Sequence, residues 1–265
     1  ILDNLKKEGF IHFPKIFRNS KGEYLTKIAD VPVYLMQFLS PDHLPISFDK
    51  FLTVTGDFHR YAKKIPAIDH LQSNKLDEYR LRSKIFTDSW FQEFDQMFMD
   101  SSWKSIVELS IYFSSEDFRN VYQRLPSQLI HGDNNQTNII VSNKIPYFID
   151  FDSLRFDIRL LDIASYFRYG GFDQYLSLSE ENKIFPYLSA TYGTLSPSEE
   201  RCFHWIVAFS HIEFMSWAMK MLKKSYMKLN YEKTKEFYDY IVIYKNQLNQ
   251  ILKFDDLKLM PVFEK

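Results

Sequence analysis

Three oxygen-bearing side chains, Asp133, Asn138 and Asp150, fall in one segment, residues 129–152, which reads LIHGDNNQTNIIVSNKIPYFIDFD. A carboxylate on a polar loop can accept a hydrogen bond from a hydroxyl, orient it and take its proton late in a displacement. A side-chain amide oxygen further along, and a second carboxylate beyond it, are hard ligands suited to Mg²⁺. Side chains of these types in this order lay out a phosphoryl-transfer site. Such sites need little covalent help; they need an attacking oxygen held in line and a cation neutralising phosphate charge.

Apolar runs must position these groups. Leu129-Ile130 precedes the loop and Ile139-Ile140-Val141 follows it. The runs Ile139–Val141 and Tyr147–Ile149 predict two strands of a hairpin, with Ser142-Asn143-Lys144 at its turn. That hairpin would return Asp150 to the neighbourhood of Asn138. His131 is expected to brace the loop through backbone hydrogen bonds rather than to react. Asp162 opens an apolar helical stretch and is expected as an N-cap or a loop brace. Asp152 is either a further metal contact or a turn residue.

The segment His131-Gly132-Asp133, Asn138 and Ile149-Asp150-Phe151 resembles the aminoglycoside phosphotransferase and choline kinase family, protein-kinase-like small-molecule kinases. Their shared pattern is H-G-D-x-x-x-x-N followed by I-D-[FW]. Asp162-Ile163-Ala164 matches a further D-[LI]-A element, although Ile158 and Arg159 stand where the family usually has a proline. Gly9 to Pro14 is similar to the stretch leading into the last small-lobe strands, and Phe58-His59 to a helix ending in histidine. The resemblance implies an α+β, protein-kinase-like two-lobed fold, with a small β-containing N-terminal lobe over residues 1–39. A large, mainly helical C-terminal lobe would cover 40–265. It implies ATP and Mg²⁺ as cofactors, Asp133 as the catalytic group, and Asn138 and Asp150 as metal ligands. The nucleotide base would lie against Gln37, Phe38 and Leu39 in the connector between lobes, and against Ile140 and Ile149. A glycine-rich hairpin and a strand lysine are expected upstream of Ile1, the alternative being a chain that lacks most of its small lobe.

Composition narrows the classes. The chain has 265 residues, enough for a substantial core, and its 25 Phe and 17 Tyr make that core rich in rings. A net charge of −1 argues against a general nucleic-acid or membrane-surface binder. No membrane-length apolar run occurs. Cys202 is the only cysteine, so no intramolecular disulfide can form, and a cytoplasmic setting is expected.

Elsewhere the sequence predicts a helix over residues 1–8 that stops at Gly9, strands between Lys15 and Leu39, and helices from Ser47 onward. Ser196-Pro197-Ser198-Glu199 is a helix start, with Ser196 as cap. His204 and His211 share a helical face but lack a third ligand at metal spacing. His59 reads as a core histidine. Glu213 and Trp217, four apart on one face, either contact a polar or cationic substrate or are a surface acid and a core tryptophan.

The function expected is transfer of the γ-phosphate of ATP to a hydroxyl of a small molecule, of aminoglycoside, homoserine, choline-like amine or sugar type. The alternative is an inactive nucleotide-binding or scaffold protein with the same fold. Oligomeric state cannot be read from the sequence.

Overall fold

The computed structural model describes residues 1–42, 46–68, 71 and 75–253. The final residues of the predicted C-terminal lobe, 254–265, lie outside them. The architecture is α+β, as the resemblance implied, with two short strand pairs in the N-terminal part, two more within residues 127–158 and helices through most of the rest.

Helix α1 (Leu2–Lys7) ends before Gly9, whose φ of 104° suits a helix stop. Strands β1 (Ile16–Phe17) and β4 (Leu35–Met36) pair antiparallel, and β2 (Thr26–Ile28) and β3 (Val31–Val33) form a hairpin. Ala29 and Asp30, both at positive φ, make the tight turn of that hairpin. The apolar run that begins at Val31 thus carries two strands, interrupted at Tyr34, before the connector at Gln37. The two halves serve different partners, one the local hairpin and one the distant β1.

Between β4 and the catalytic segment come α2 (Phe48–Ala62), α3 (Lys75–Arg82), α4 (Ser89–Phe94), α5 (Ser101–Phe113) and α6 (Glu116–Gln123). Helix α2 continues past His59, which is an interior residue of the helix rather than its end. Side chains cap four of these starts, with Ser47, Asp88, Asp100 and Ser115 accepting from first-turn N–H groups.

Strand β5 (Ser127–Ile130) pairs with β8 (Arg155–Ile158), and β6 (Ile139–Ser142) with β7 (Ile145–Phe148). Asn143 and Lys144 both take positive φ, the two-residue turn that matches strand twist. Asp42 grips this turn, accepting from the backbone N–H of Asn143 at 3.2 Å and of Lys144 at 2.9 Å. The N-terminal segment docks on the same hairpin: Phe148 donates its N–H to His12 O at 2.8 Å, and His12 Nδ1 donates to Pro146 O at 2.8 Å. Beneath them Phe10, Phe58 and Phe148 are fully buried and pack ring to ring.

Helices α7 (Leu160–Tyr169), α8 (Phe172–Glu180), α9 (Ile184–Thr191), α10 (Pro197–Met227) and α11 (Tyr231–Ile251) complete the lobe. Ser196 and Glu199 form the full capping box at the start of α10. This helix is buried all round from Cys202 to Glu213, which explains why that stretch reads as apolar rather than amphipathic. Its Phe209 is fully buried among Tyr79, Phe113, Phe118 and Tyr122, which ties α3, α5 and α6 to it. Among the described residues no helix is long and apolar enough to cross a membrane.

Candidate active site

The loop after β5 is held from below by one buried carboxylate. Asp162 lies in the first turn of α7, not at its cap, which is Arg159. Its Oδ2 accepts from His131 N at 2.8 Å and from His59 Nε2 at 2.9 Å, and its Oδ1 accepts from Gly132 N at 2.9 Å. Of the two roles expected for Asp162, the structure thus selects the brace. Burial alone would raise its pKa, but the hydrogen bond and charge of His59, then His131 and the Gly132 N–H, hold it below the ordinary carboxylate range. His59 is in turn oriented by Tyr192, whose hydroxyl lies 2.5 Å from Nδ1.

Gly132 is required by two independent constraints. Its φ is 82°, and a Cβ there would stand 2.1 Å from Ser153 O. His131 closes the other side of the loop: its Nε2 donates to Ile149 O at 2.9 Å, while its ring packs on Phe148 and Phe151. This single imidazole ties the Asp133 loop to the residue before Asp150.

The three chemistry-bearing residues are brought to one corner. Asn138 Nδ2 donates to Asp133 Oδ2 at 3.0 Å and to Asp133 O at 2.8 Å. With its nitrogen fixed on Asp133, the amide leaves Oδ1 as the atom available to a cation. Asn138 O accepts from Ile149 N at 2.9 Å, so the hairpin sets Asp150 beside Asn138 as its turn predicted. Asp133 Oδ1 also accepts from Asn135 Nδ2 at 3.2 Å.

Asp150 sits in the left-handed region (φ 57°, ψ 65°) and is exposed. Among the described residues no group pairs with its carboxylate. A left-handed backbone at a non-glycine residue is uncommon, and it aims an unpaired anion away from the core. No group of three or more His, Cys, Asp or Glu side chains at metal spacing occurs among the described residues. One amide oxygen and one free carboxylate nevertheless fit Mg²⁺, which takes few protein ligands and completes its shell with phosphate and water.

Two cavities adjoin this corner. The larger, about 680 Å³, is lined by Met36, Gln37, Phe38 and Leu39 on one side and by Ile140, Ile149, Asp150 and Asp152 on the other. All five residues expected against a nucleotide base line it. Gln37 has its backbone N–H committed to Lys15 O at 2.7 Å, whereas Phe38 and Leu39 make no backbone–backbone hydrogen bond among the described residues.

The smaller cavity, about 270 Å³, opens at Gly132, Asp133 and Ser153 and is walled by α7 and α10. Glu213 and Trp217 both line it. Glu213 is not a surface acid: it is 4% exposed. Nor is it free to take a cationic ligand. Lys75 Nζ stands 3.2 Å from Oε1, Arg168 Nη1 3.7 Å from Oε2, and Arg82 donates to Oε1 as well. Burial alone would raise the Glu213 pKa, but Lys75, Arg168 and Arg82 together hold it low. Trp217 is half-buried, against Phe214 and Phe237.

Sequence reasoning missed Lys75, Arg82, Arg155 and Arg168, all of which line this cavity. The one signal available was Arg168 on the same face of α7 as Leu161 and Ser165, a charge on an otherwise buried stripe. His204 and His211 contribute no shared site. His204 meets Tyr175 Oη at 2.7 Å and His211 Nδ1 donates to Val207 O at 2.7 Å.

A family model described as phosphotransferase enzyme family matches residues 1–184. No curated protein sequence matches the chain. Solved structures share the fold at low identity. An aminoglycoside phosphotransferase from Alicyclobacillus acidocaldarius aligns with TM-score 0.64 and 14% identity, over 94% of this chain and 80% of that one. A spectinomycin phosphotransferase, solved with ADP and spectinomycin, gives 0.67 and 13% over 97% and 81%. A microcompartment-associated aminopropanol kinase gives 0.66 and 13% over 97% and 80%.

Proposed function

The chain belongs to the phosphotransferase enzyme family and is a small-molecule phosphotransferase, and we propose that it moves the γ-phosphate of ATP to a hydroxyl of its acceptor with Mg²⁺ as cofactor. The observation that carries this reading is the corner where Asn138 joins Asp133 to the Asp150 end of the hairpin. Residues 150–152 line the larger cavity and Ser153 lines the smaller, so one short segment runs from one cavity to the other.

In this reading the larger cavity takes ATP. Its base lies between Phe38-Leu39 and the apolar side chains of Ile140 and Ile149, with Gln37 at the rim. Asn138 Oδ1 and the Asp150 carboxylate hold Mg²⁺, which when bound neutralises phosphate charge. Asp133 accepts the hydrogen bond of the acceptor hydroxyl, fixes its approach and receives its proton as the new P–O bond forms and the bond from the γ-phosphorus to the bridging oxygen breaks, with ADP as the leaving group. The hydrogen bond from Asn138 keeps the Asp133 carboxylate in one rotamer, so orientation is set before the acceptor arrives. His131 and Asp162 support the loop without touching reactants.

An inactive scaffold would have no use for an unpaired, left-handed Asp150 beside a fixed Asn138, which favours turnover. Calorimetric titration of the protein with ATP tests the reading, with and without Mg²⁺ and with Asp150→Ala as control. Magnesium-dependent binding that the substitution weakens at least tenfold is expected. A folded protein that ignores Mg·ATP, or binds it equally well without Asp150, sinks the proposal.

A further inference from the structure

The smaller cavity has an unusual charge balance for a site beside a phosphate donor. Four cationic side chains line it, Lys75, Arg82, Arg155 and Arg168, against two carboxylates, Asp133 and Glu213. Asp133 faces the corner shared with Asn138. Glu213 therefore serves Lys75, Arg82 and Arg168, with the more exposed Glu78, 3.6 Å from Lys75 Nζ, as the one further carboxylate on them among the described residues, and two carboxylates leave three cations one charge short.

Hydrogen-bond supply shows the same excess. Arg82 has five N–H donors, yet its only hydrogen bond among the described residues goes to Glu213. Its Nε is buried without a partner among the described residues, and so is that of Arg168, whose Nη groups donate to Ser210 and Ser165. Arg168 is 7% exposed, held over the rings of Tyr169 and Phe214 with centroid distances of 4.5 Å and 4.7 Å. A guanidinium fixed this way is pre-organised and cannot swing out to water. Those two Nε atoms are closed to solvent, so the groups left to meet a ligand's acceptors are the rest of the Arg82 fork and the Lys75 ammonium, with side chains 21% and 22% exposed. Arg155 differs: its donors go to Asp157, Ser153 O and Gly132 O, and it braces the loop.

We propose that the phosphate acceptor is a small hydroxyl compound carrying an anionic group, a carboxylate or phosphate, seated among Lys75, Arg82 and Arg168. The acceptor hydroxyl then faces Asp133. This rests on the reading of the cavity beside Asp133 as the acceptor site. Glu213 acts as an internal counter-ion that gathers three cations from α3 and α7 onto α10, and the substrate supplies the charge Glu213 leaves uncompensated. Polycationic and choline-like acceptors are disfavoured, because a cation entering here meets an electropositive wall and finds Glu213 engaged. The cavity volume of about 270 Å³ also selects a small compound.

The test is calorimetry on the full chain, with saturating Mg·ATP analogue present and absent. D-glycerate, L-malate and glycerol 3-phosphate serve as anionic probes, glycerol as neutral and ethanolamine and choline as cationic ones. The anionic probes are expected to bind at least tenfold tighter than glycerol, and the cationic ones no tighter than glycerol. Arg168→Gln should weaken the anionic probes roughly ten- to a hundredfold, while Mg·ATP affinity stays within twofold. Lys75→Met, at a less buried position, repeats the comparison should Arg168→Gln not fold. Equal or tighter binding of the neutral or cationic probes by the folded protein overturns the proposal. So does competition between anionic probes and Mg·ATP, because the cations would then serve the nucleotide phosphates. Intact Mg·ATP binding with no anion preference fails this proposal alone; absent Mg·ATP binding fails the functional reading beneath it.

Discussion

Asp133 and Asp150 are both carboxylates, yet their surroundings assign them opposite duties. Asp133 is held by side-chain amides of Asn135 and Asn138, whereas Asp150 has no partner among the described residues and sits in a strained backbone. Asp133→Asn keeps the side chain's shape and removes its ability to receive a proton. It is expected to lower kcat for ADP release by roughly 10²–10⁴-fold in a protein that still folds, with a modest loss of Tm because the new amide faces the Asn135 and Asn138 donors; a folded variant that keeps most of its kcat would remove Asp133 from the chemistry. At Asp150 metal binding and backbone strain can be separated. Asp150→Asn retains a side chain that tolerates the left-handed region, while Asp150→Val does not. Both should weaken Mg·ATP binding at least tenfold, but only Asp150→Val should also lose stability, by about 1–2 kcal/mol in urea denaturation. Equal stability of the two variants would mean that the conformation at this position carries no strain.

At the scale of elements, the catalytic loop depends on α2 and α7 through His59 and Asp162. Asp162 has three donors on two oxygens, all buried, so an amide in its place sets a donor against a donor. Asp162→Asn is expected to cost about 2–4 kcal/mol at pH 7. The pH dependence has a definite sign. Asp162 has a folded pKa below its ordinary 3.8, so its contribution is fully present above that value and is lost as the pH falls through the lower folded value. The gap between parent and Asp162→Asn in denaturant midpoints should therefore shrink on acidification. A gap constant down to pH 3 would show that the charge of Asp162 is not what the loop relies on.

Across the whole molecule, Glu213 joins α3, α7 and α10 through cations that are distant in sequence. Removing one partner of a buried ion cluster leaves the others uncompensated, which costs more than the cluster gains by existing. Glu213→Gln is expected to destabilise by about 3–5 kcal/mol, or a fall in Tm of about 10 °C in differential scanning calorimetry. If an anion belongs in the cavity, added phosphate should recover more of the loss in this variant than it adds to the parent. A fall in Tm under 2 °C would mean that water already compensates these cations.

The sequence by itself determined the hairpin, its turn and the corner it builds. Asn143-Lys144 between two short apolar runs sets a register, and that register places Asp150 next to Asn138 whatever the rest of the chain does. The α10 start was equally local, since a capping box closes within four residues. Long-range pairing was not legible. Strand β8 gave no periodic signal because it is short and its partner β5 lies across the whole catalytic loop. Nor was the break at Tyr34 legible within the apolar run from Val31, where a distant partner claims the second strand. The role of Asp162 as brace rather than cap, and the engagement of Glu213 by Lys75, Arg82 and Arg168, were decided only by tertiary structure. A charged side chain carries no sequence mark of its partner; its meaning depends on which other charges folding brings within a few ångströms, and on how little water remains between them.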